Sequence, residues 1–490
     1  QESAGQQPQP QQAAPADAAP AAPAPANGFC KNIITVINNA ATALKLTLKD
    51  VKIDVSDTGD FATSGKAALS VQGDGNVTIE LDGKNELKSG WGMAGLEKNT
   101  SAGTLTLKDD QEPGSLTAEG GGWAAGIGGS DGKGTNNIII SGGTVTAEGG
   151  NYGAGIGSGG GSYDGGDHIT ITGGTVNATG GDNGAGIGGG YGDDSDHITI
   201  TGGTVNATGG DNGAGIGGGY GGVGDHITIG GGAVTAEGGE NGAGIGGGYS
   251  GVGDHITITG GTVNASGCAG AGIGGGINGS GSNVTVSGAA QVTATAGKSS
   301  SFYVAGATIG NGGSVTEDGE LVDGKEIQAD ISRVTTGYIH HIIYDPALVS
   351  EDNPLGIVRE WWEPERPQPK PEDPNAPAEE SNEVNLGTPG LHVETLEGDP
   401  LPFDAQQQGG TLRVTSDTLA ARLHGTRQAL EALREQGVEQ IQFVTSFKTT
   451  TLSVEDLLAE GGSWFALEHN GLVSRQLSAA QAESLKCRMR

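Results

Sequence analysis

The stretch Asp196–Gly221, DHITITGGTVNATGGDNGAGIGGGYG, is written several times along the chain with few changes. The histidines of its DHITI segment stand at His168, His197, His226 and His255, each 29 residues after the last. The isoleucines of its AGIG segment stand at Ile127, Ile156, Ile187, Ile216, Ile245 and Ile273, at spacings of 29, 31, 29, 29 and 28. The same frame persists in degenerate form upstream, in NVTIELDGKNELKSG (Asn76–Gly90) and GTLTLKDDQEPGSLTAEGG (Gly103–Gly121). Downstream it continues in SNVTVSGAAQVTATAG (Ser282–Gly297) and VAGATIGNGG (Val304–Gly313). Near-identical units flanked by degenerate ones are what a stack of repeats with capping ends requires.

Within a unit the apolar residues alternate. Ile198 and Ile200 oppose His197, Thr199 and Thr201; Val205 and Ala207 oppose Asn206 and Thr208; Ala214 and Ile216 oppose glycines. That is three short strands of period two, separated by glycine-rich corners. Glycine at 96 of 490 residues, together with so many β-branched side chains, opposes helix. Collagen is excluded because glycine does not fall at every third position. Three strands per repeat, kept in register, predict an all-β fold: a right-handed parallel β-helix of about 29-residue coils. No single coil can bury its apolar face, so each copy covers the next. About ten coils between residues 33 and 315, rising ~4.8 Å each, predict a rod on the order of 45–50 Å long. The AGIG strand is expected to show an outer face almost free of side chains.

Flanking segments differ in kind. Residues 1–32 begin with Gln1 and form an Ala/Pro/Gln-rich stretch too poor in large apolar residues to fold alone, expected to be a disordered stalk behind a removed signal peptide. Residues 33–362 carry the β-helix with its end caps, and 363–410 read as a charged, proline-rich linker. Residues 411–490 read as a small α+β module: a strand in TLRVTS, a helix from Asp417 to Gln436 capped by Ser416, strands in IQFVTSF and KTTTLS, a short helix in VEDLLAE and a strand in WFALEHNG. The net charge of -33 disfavours nucleic acid and anionic membrane surfaces as partners, and no apolar run is long enough for a membrane-spanning helix. The three cysteines, Cys30, Cys268 and Cys487, form neither a disulfide framework nor a metal-ligand spacing.

Four rows of side chains are candidates for sites. Asp167, Asp196, Asp225 and Asp254 each precede a histidine. Carboxylates ~4.8 Å apart repel by about 1 kcal/mol in water and by 3 or more at an effective dielectric near 20, so something must offset them. Local backbone N–H donors at the corner are the favoured reading, with calcium shared between carboxylates and corner carbonyls as the alternative. The histidines themselves read as a solvated ladder, with a transition-metal stripe as the alternative, and Asn183, Asn212 and Asn241 as an amide ladder. Tyr191, Tyr220 and Tyr249 form an outward aromatic row, the best carbohydrate-binding candidate, although rings so spaced are expected to stack on one another. Asp193, Asp194 and Asp196 are the only local carboxylate cluster, and an acidic corner loop accounts for it better than a catalytic pair. Between Lys133 and Lys298 there is no lysine or arginine to serve as a base.

At GGTVNATGG and GAGIGGG the chain resembles glycine-rich repeat regions of secreted or surface proteins of gut Firmicutes, commonly labelled carbohydrate-binding or right-handed β-helix proteins of the pectin-lyase-like superfamily. The resemblance spans about residues 33 to 315. It implies the architecture and says little of activity. With the repeat lacking lysine, arginine and a site-like carboxylate cluster, the expected function is that of a non-catalytic, secreted or cell-surface protein that binds a polysaccharide or host glycan, or acts as an adhesin. The alternatives are a structural spacer presenting the C-terminal module and, least favoured, a calcium-dependent polysaccharide lyase or hydrolase, since the fold hosts all of these.

Overall fold

A computed structural model describes residues 28–99, 102–110, 113–162, 166–299, 303–316, 318–350, 353, 356–364, 391–395, 401, 403–416, 418, 420–445, 448–460, 464–470 and 473–477. The expected N-terminal stalk up to residue 27 and most of the expected linker, 365–390, lie outside the described residues.

Alternation in the repeat becomes three walls of a solenoid. One wall is built from the TVNAT strands, which pair parallel and in register from coil to coil, as in Val176↔Val205 and Asn177↔Asn206. A second comes from the ITI strands, with Ile169↔Ile198 and Ile171↔Ile200. The third is a sheet of ten strands, one per coil, whose repeating element is Ile-Gly. About ten coils were expected between residues 33 and 315, and ten strands line this wall among the described residues. Identical apolar residues therefore stack inside: Ile187, Ile216 and Ile245; Val176, Val205 and Val234; Ile171, Ile200 and Ile229, each at most 1% exposed. Each such side chain contributes about 1.5–3 kcal/mol when buried. This regular interior replaces the aromatic core that the composition lacks.

Two local expectations are corrected. The glycines flanking Ile187 do not face solvent: Gly186 and Gly188 are buried. A Cβ on Gly186 would stand 2.6 Å from the Thr208 amide nitrogen, and one on Gly188 would stand 2.7 Å from Ser195 Oγ. The Ile-Gly wall is covered by its own coil and the next, and glycine is required there for close approach. The second correction concerns HITIT, which is one strand in the first copy, Gly166–Ile171, but is interrupted at the histidine in the copies of His197, His226 and His255. His168, His197, His226 and His255 all have positive φ, between 46° and 61°. The chain kinks at each histidine, and Ser195–Asp196 forms a separate short pairing with Gly224–Asp225.

At its C-terminal end the solenoid is closed by side chains and a hairpin. The Glu326 carboxylate accepts from the Thr308 and Ile309 amides and the Thr308 hydroxyl, capping the last Ile-Gly strand. Tyr338–Tyr344 continues the TVNAT wall and pairs antiparallel with Ile357–Glu363. There His340 stacks on Trp362 at 3.8 Å and His341 on Trp361 at 4.4 Å.

Residues 391–477 form a second core of their own, with two four-stranded sheets and two short helices. The strands Thr411–Thr415, Gln440–Val444, Thr449–Ser453 and Trp464–Asn470 and the helix Val454–Glu460 match the sequence reading. The expected helix 417–436 does not. Ala420–Thr426 is a strand held between Leu391–Glu394 and Trp464–Asn470, and the helix is only Arg427–Glu435, capped by Thr426. Two-sided strand pairing overrides the helix propensity of AARL, and Gly425 fits beneath the Phe465 ring, where a Cβ would come within 2.4 Å. The ionic group inside this sheet is paired: Arg422 bonds both Glu394 and Glu468 at 2.8 Å.

Candidate functional site

Two side-chain rows run along the solenoid and carry what chemistry the repeat offers. In the first, each histidine ring stacks on its neighbour: His168 on His197 at 4.9 Å, His197 on His226 at 5.0 Å and His226 on His255 at 4.8 Å, all within 6° of parallel. The positive φ at each histidine turns its ring back beside the preceding aspartate. Asp225 consequently lies between two imidazoles, with Oδ2 3.0 Å from His226 Nδ1 and Oδ1 3.1 Å from His255 Nδ1. Asp196 stands the same way but more loosely, 3.7 Å from His197 Nδ1 and 3.5 Å from His226 Nδ1. From Asp196 to Asp254 the like-charge repulsion of the aspartate row is thus interrupted at each step by an imidazole set between the carboxylates.

Backbone N–H donors supply the rest. The His226 amide donates to Asp225 at 2.8 Å and the His255 amide to Asp254 at 3.0 Å. Asp254 ends the row. Burial would raise its carboxyl, but hydrogen bonds from Ser282, Asn283 and the His255 amide, with the charge of His255, hold it below the usual carboxylate range. Asp167 keeps the register, opposite Asn136, but its side chain lies outside the described residues. Around Asp225 the partners are nitrogens, whereas calcium takes six to eight oxygens.

The second row is aromatic. Tyr191, Tyr220 and Tyr249 are half-buried and stack at 5.2 and 5.0 Å, so their faces are spent on one another as expected. The row is longer than the sequence reading allowed. Tyr152 meets Tyr191 edge-on at 5.5 Å, and Trp123 stacks on Tyr152 at 4.0 Å. Trp123 and Tyr152 lie four residues before their Ile-Gly isoleucines, whereas Tyr191, Tyr220 and Tyr249 lie four residues after theirs. The two positions adjoin because the loops on either side of the strand touch: the Tyr191 amide donates to the Tyr152 carbonyl and the Tyr220 amide to the Asn183 carbonyl. At Gly160, the place of a tyrosine one coil earlier, a Cβ would come within 2.9 Å of the Trp123 ring. The row must therefore change position there. The position before the isoleucine then passes to Asn183, Asn212 and Asn241, which form the expected amide ladder at 2.9 and 2.8 Å.

The carboxylates of GDDSDH are drawn to separate tasks. Asp193 is 1% exposed and accepts from the Ser162 hydroxyl, Asp194 accepts from the Val223 amide, and Asp196 belongs to the histidine row. Among the described residues no helix is long and apolar enough to cross a membrane.

Segments 138–160, 169–191, 198–220, 227–249 and 256–277 match the family described as beta helix repeat. Together with the three-walled stack, this makes the chain a parallel β-helix repeat protein. No curated protein and no solved structure gives a significant match.

Proposed function

We propose that this is a secreted or cell-surface protein that binds a glycan without catalysis, using the aromatic row from Trp123 to Tyr249 as its contact. The observation that carries this reading is the continuity of that row: five aromatic side chains over five coils, half-buried and braced against one another. Because stacking uses the ring faces, the row would offer a sugar its ring edges and tyrosine hydroxyls, an apolar body with a polar handle at each step. Contacts of this kind are weak singly and add along an extended polymer, since each engaged coil raises the local concentration of the next. The dispersal of Asp193, Asp194 and Asp196 favours binding over hydrolysis.

The spacer alternative draws on the separate second core of residues 391–477. A glycan array probed with the full chain distinguishes the two. Retention on a defined set of polysaccharides supports binding; uniform absence of retention leaves the spacer. Release of reducing sugar or unsaturated product from any retained polysaccharide would replace both with an enzyme.

A further inference from the structure

We propose that the Asp225–His226–His255 cluster is a binding site for a divalent transition-metal ion of the zinc type. One ring nitrogen of each of His226 and His255 and a carboxylate oxygen of Asp225 all lie within 4.8 Å of one another. His226 Nδ1 lies 3.0 Å from Asp225 Oδ2 and His255 Nδ1 lies 3.1 Å from Asp225 Oδ1, so the carboxylate reaches each imidazole with a different oxygen, at separations near the about 3.3 Å between two donors of a tetrahedral ion with bonds near 2.0–2.1 Å. The two rings are parallel and 4.8 Å apart, so both must turn out of the stack for their in-plane lone pairs to meet on one ion; the half-exposed side chains have room to do so and leave the fourth position to water. Two imidazoles and one carboxylate suit zinc, nickel or copper, and suit calcium poorly.

Two further observations point to a cation. The carboxylate is oriented in advance by the His226 amide, as outer partners orient a ligand in metal sites. One coil earlier, Asp196 Oδ1 is screened from solvent without a hydrogen-bond partner, and its nearest imidazole nitrogens are those of His226 and His197. A cation between them would satisfy it. His226 Nδ1 has a single lone pair, so an ion at Asp225 and an ion at Asp196 exclude each other.

The test is calorimetric titration of the metal-stripped full chain with Zn²⁺, with Ca²⁺ and Mg²⁺ as comparators, together with melting curves. Saturable zinc uptake and a zinc-dependent rise in melting temperature that calcium does not reproduce are expected. The variant His197→Asn/His226→Asn/His255→Asn removes every imidazole pair of the row; asparagine accepts positive φ but no longer separates the aspartates, so the variant should melt somewhat below the parent in chelator, and the zinc effect should disappear. If it melts early even in chelator, the near-isosteric Asp225→Asn decides, and its zinc affinity should fall. Absence of saturable zinc uptake by the parent overturns the proposal. So does undiminished affinity in the triple variant or, where that variant is unstable, in Asp225→Asn.

Discussion

Asn212 Nδ2 donates to Asn183 Oδ1 at 2.9 Å, across one coil of the solenoid and 29 residues of sequence. Asn212 Oδ1 in turn accepts from Asn241 Nδ2 at 2.8 Å, so the central amide is donor and acceptor at once. Asn212→Ala leaves a half-buried acceptor on one neighbour and a donor on the other. A loss of about 1–3 kcal/mol is expected. In the exposed amide pair Asn177–Asn206, Asn206→Ala should stay within about 0.5 kcal/mol, because water replaces the lost partner. Urea unfolding of the two variants side by side measures the difference.

Glycines in the repeat are not equivalent, and two substitutions should move stability in opposite directions. A Cβ on Gly213 would lie 1.9 Å from the Gly184 carbonyl oxygen of the preceding coil. Gly213→Ala must push two coils apart, at a cost of about 1–3 kcal/mol or more. Gly230 instead interrupts a row of threonines, and a Cβ there would lie 3.7 Å from both Thr201 Cγ2 and Thr259 Oγ1. Gly230→Thr completes the row at a position without positive φ, and should stabilise by about 0.5–1 kcal/mol. Melting temperatures of both variants settle the signs.

The contrast between these glycines shows what was legible in the sequence. Period-two alternation around Ile198, Val205 and Ile216 specified three walls, because a strand side chain has only two directions to point. The kink at His197 was hidden by the alternation, which places His197 with Thr199 and Thr201; its signal lay in the flanking coils, where Asn137 and Asn283 hold the same position with positive φ, a conformation asparagine favours. The burial of Gly186 and Gly188 was hidden for a related reason, since glycine signals either exposure or close approach and only the three-dimensional neighbour decides. Trp123 and Tyr152 escaped the aromatic row because they occupy a different repeat position from Tyr191. Their signal was available in the shared offset from Ile127 and Ile156, read together with the adjacency of the two loops. In residues 391–477 the error at Ala420–Thr426 came from local propensity that two flanking strands outweigh.

His469 gives the second core a pH dependence. It is buried between Thr445 and Thr450, with Nδ1 3.0 Å and Nε2 2.9 Å from their hydroxyls. Burial, with the nearby charge of Lys448, lowers its pKa to about 4 from 6.5. Between those values the unfolded chain takes up a proton that the folded chain does not. Stability is therefore full above about pH 6.5 and falls as the pH drops toward 4, by an amount on the order of 3 kcal/mol. His469→Gln should flatten this limb of the profile. Unfolding free energies between pH 4 and 8, followed by Trp464 fluorescence, check both the direction and the residue.

The tyrosine row can be tested so that bracing and binding separate. Tyr191, Tyr220 and Tyr249 stack within 17° of parallel, and each such contact contributes about 0.5–1.5 kcal/mol beyond burial. Replacing all three by alanine removes the bracing together with any contact surface, so a loss of glycan retention there has two explanations. Replacing all three by phenylalanine keeps the rings and their stacking and removes only the hydroxyls. Because the faces are engaged with one another, the hydroxyls and edges are what a glycan would meet. The Tyr→Phe triple variant should therefore melt close to the parent, shifted by about 1 °C or less for each 0.5 kcal/mol that the hydroxyls contribute in a solenoid of this length. It should be released from an immobilised, array-identified polysaccharide at lower competitor concentration than the parent. Unchanged retention in the phenylalanine variant, with early melting of the alanine variant, would confine the tyrosines to bracing the coils.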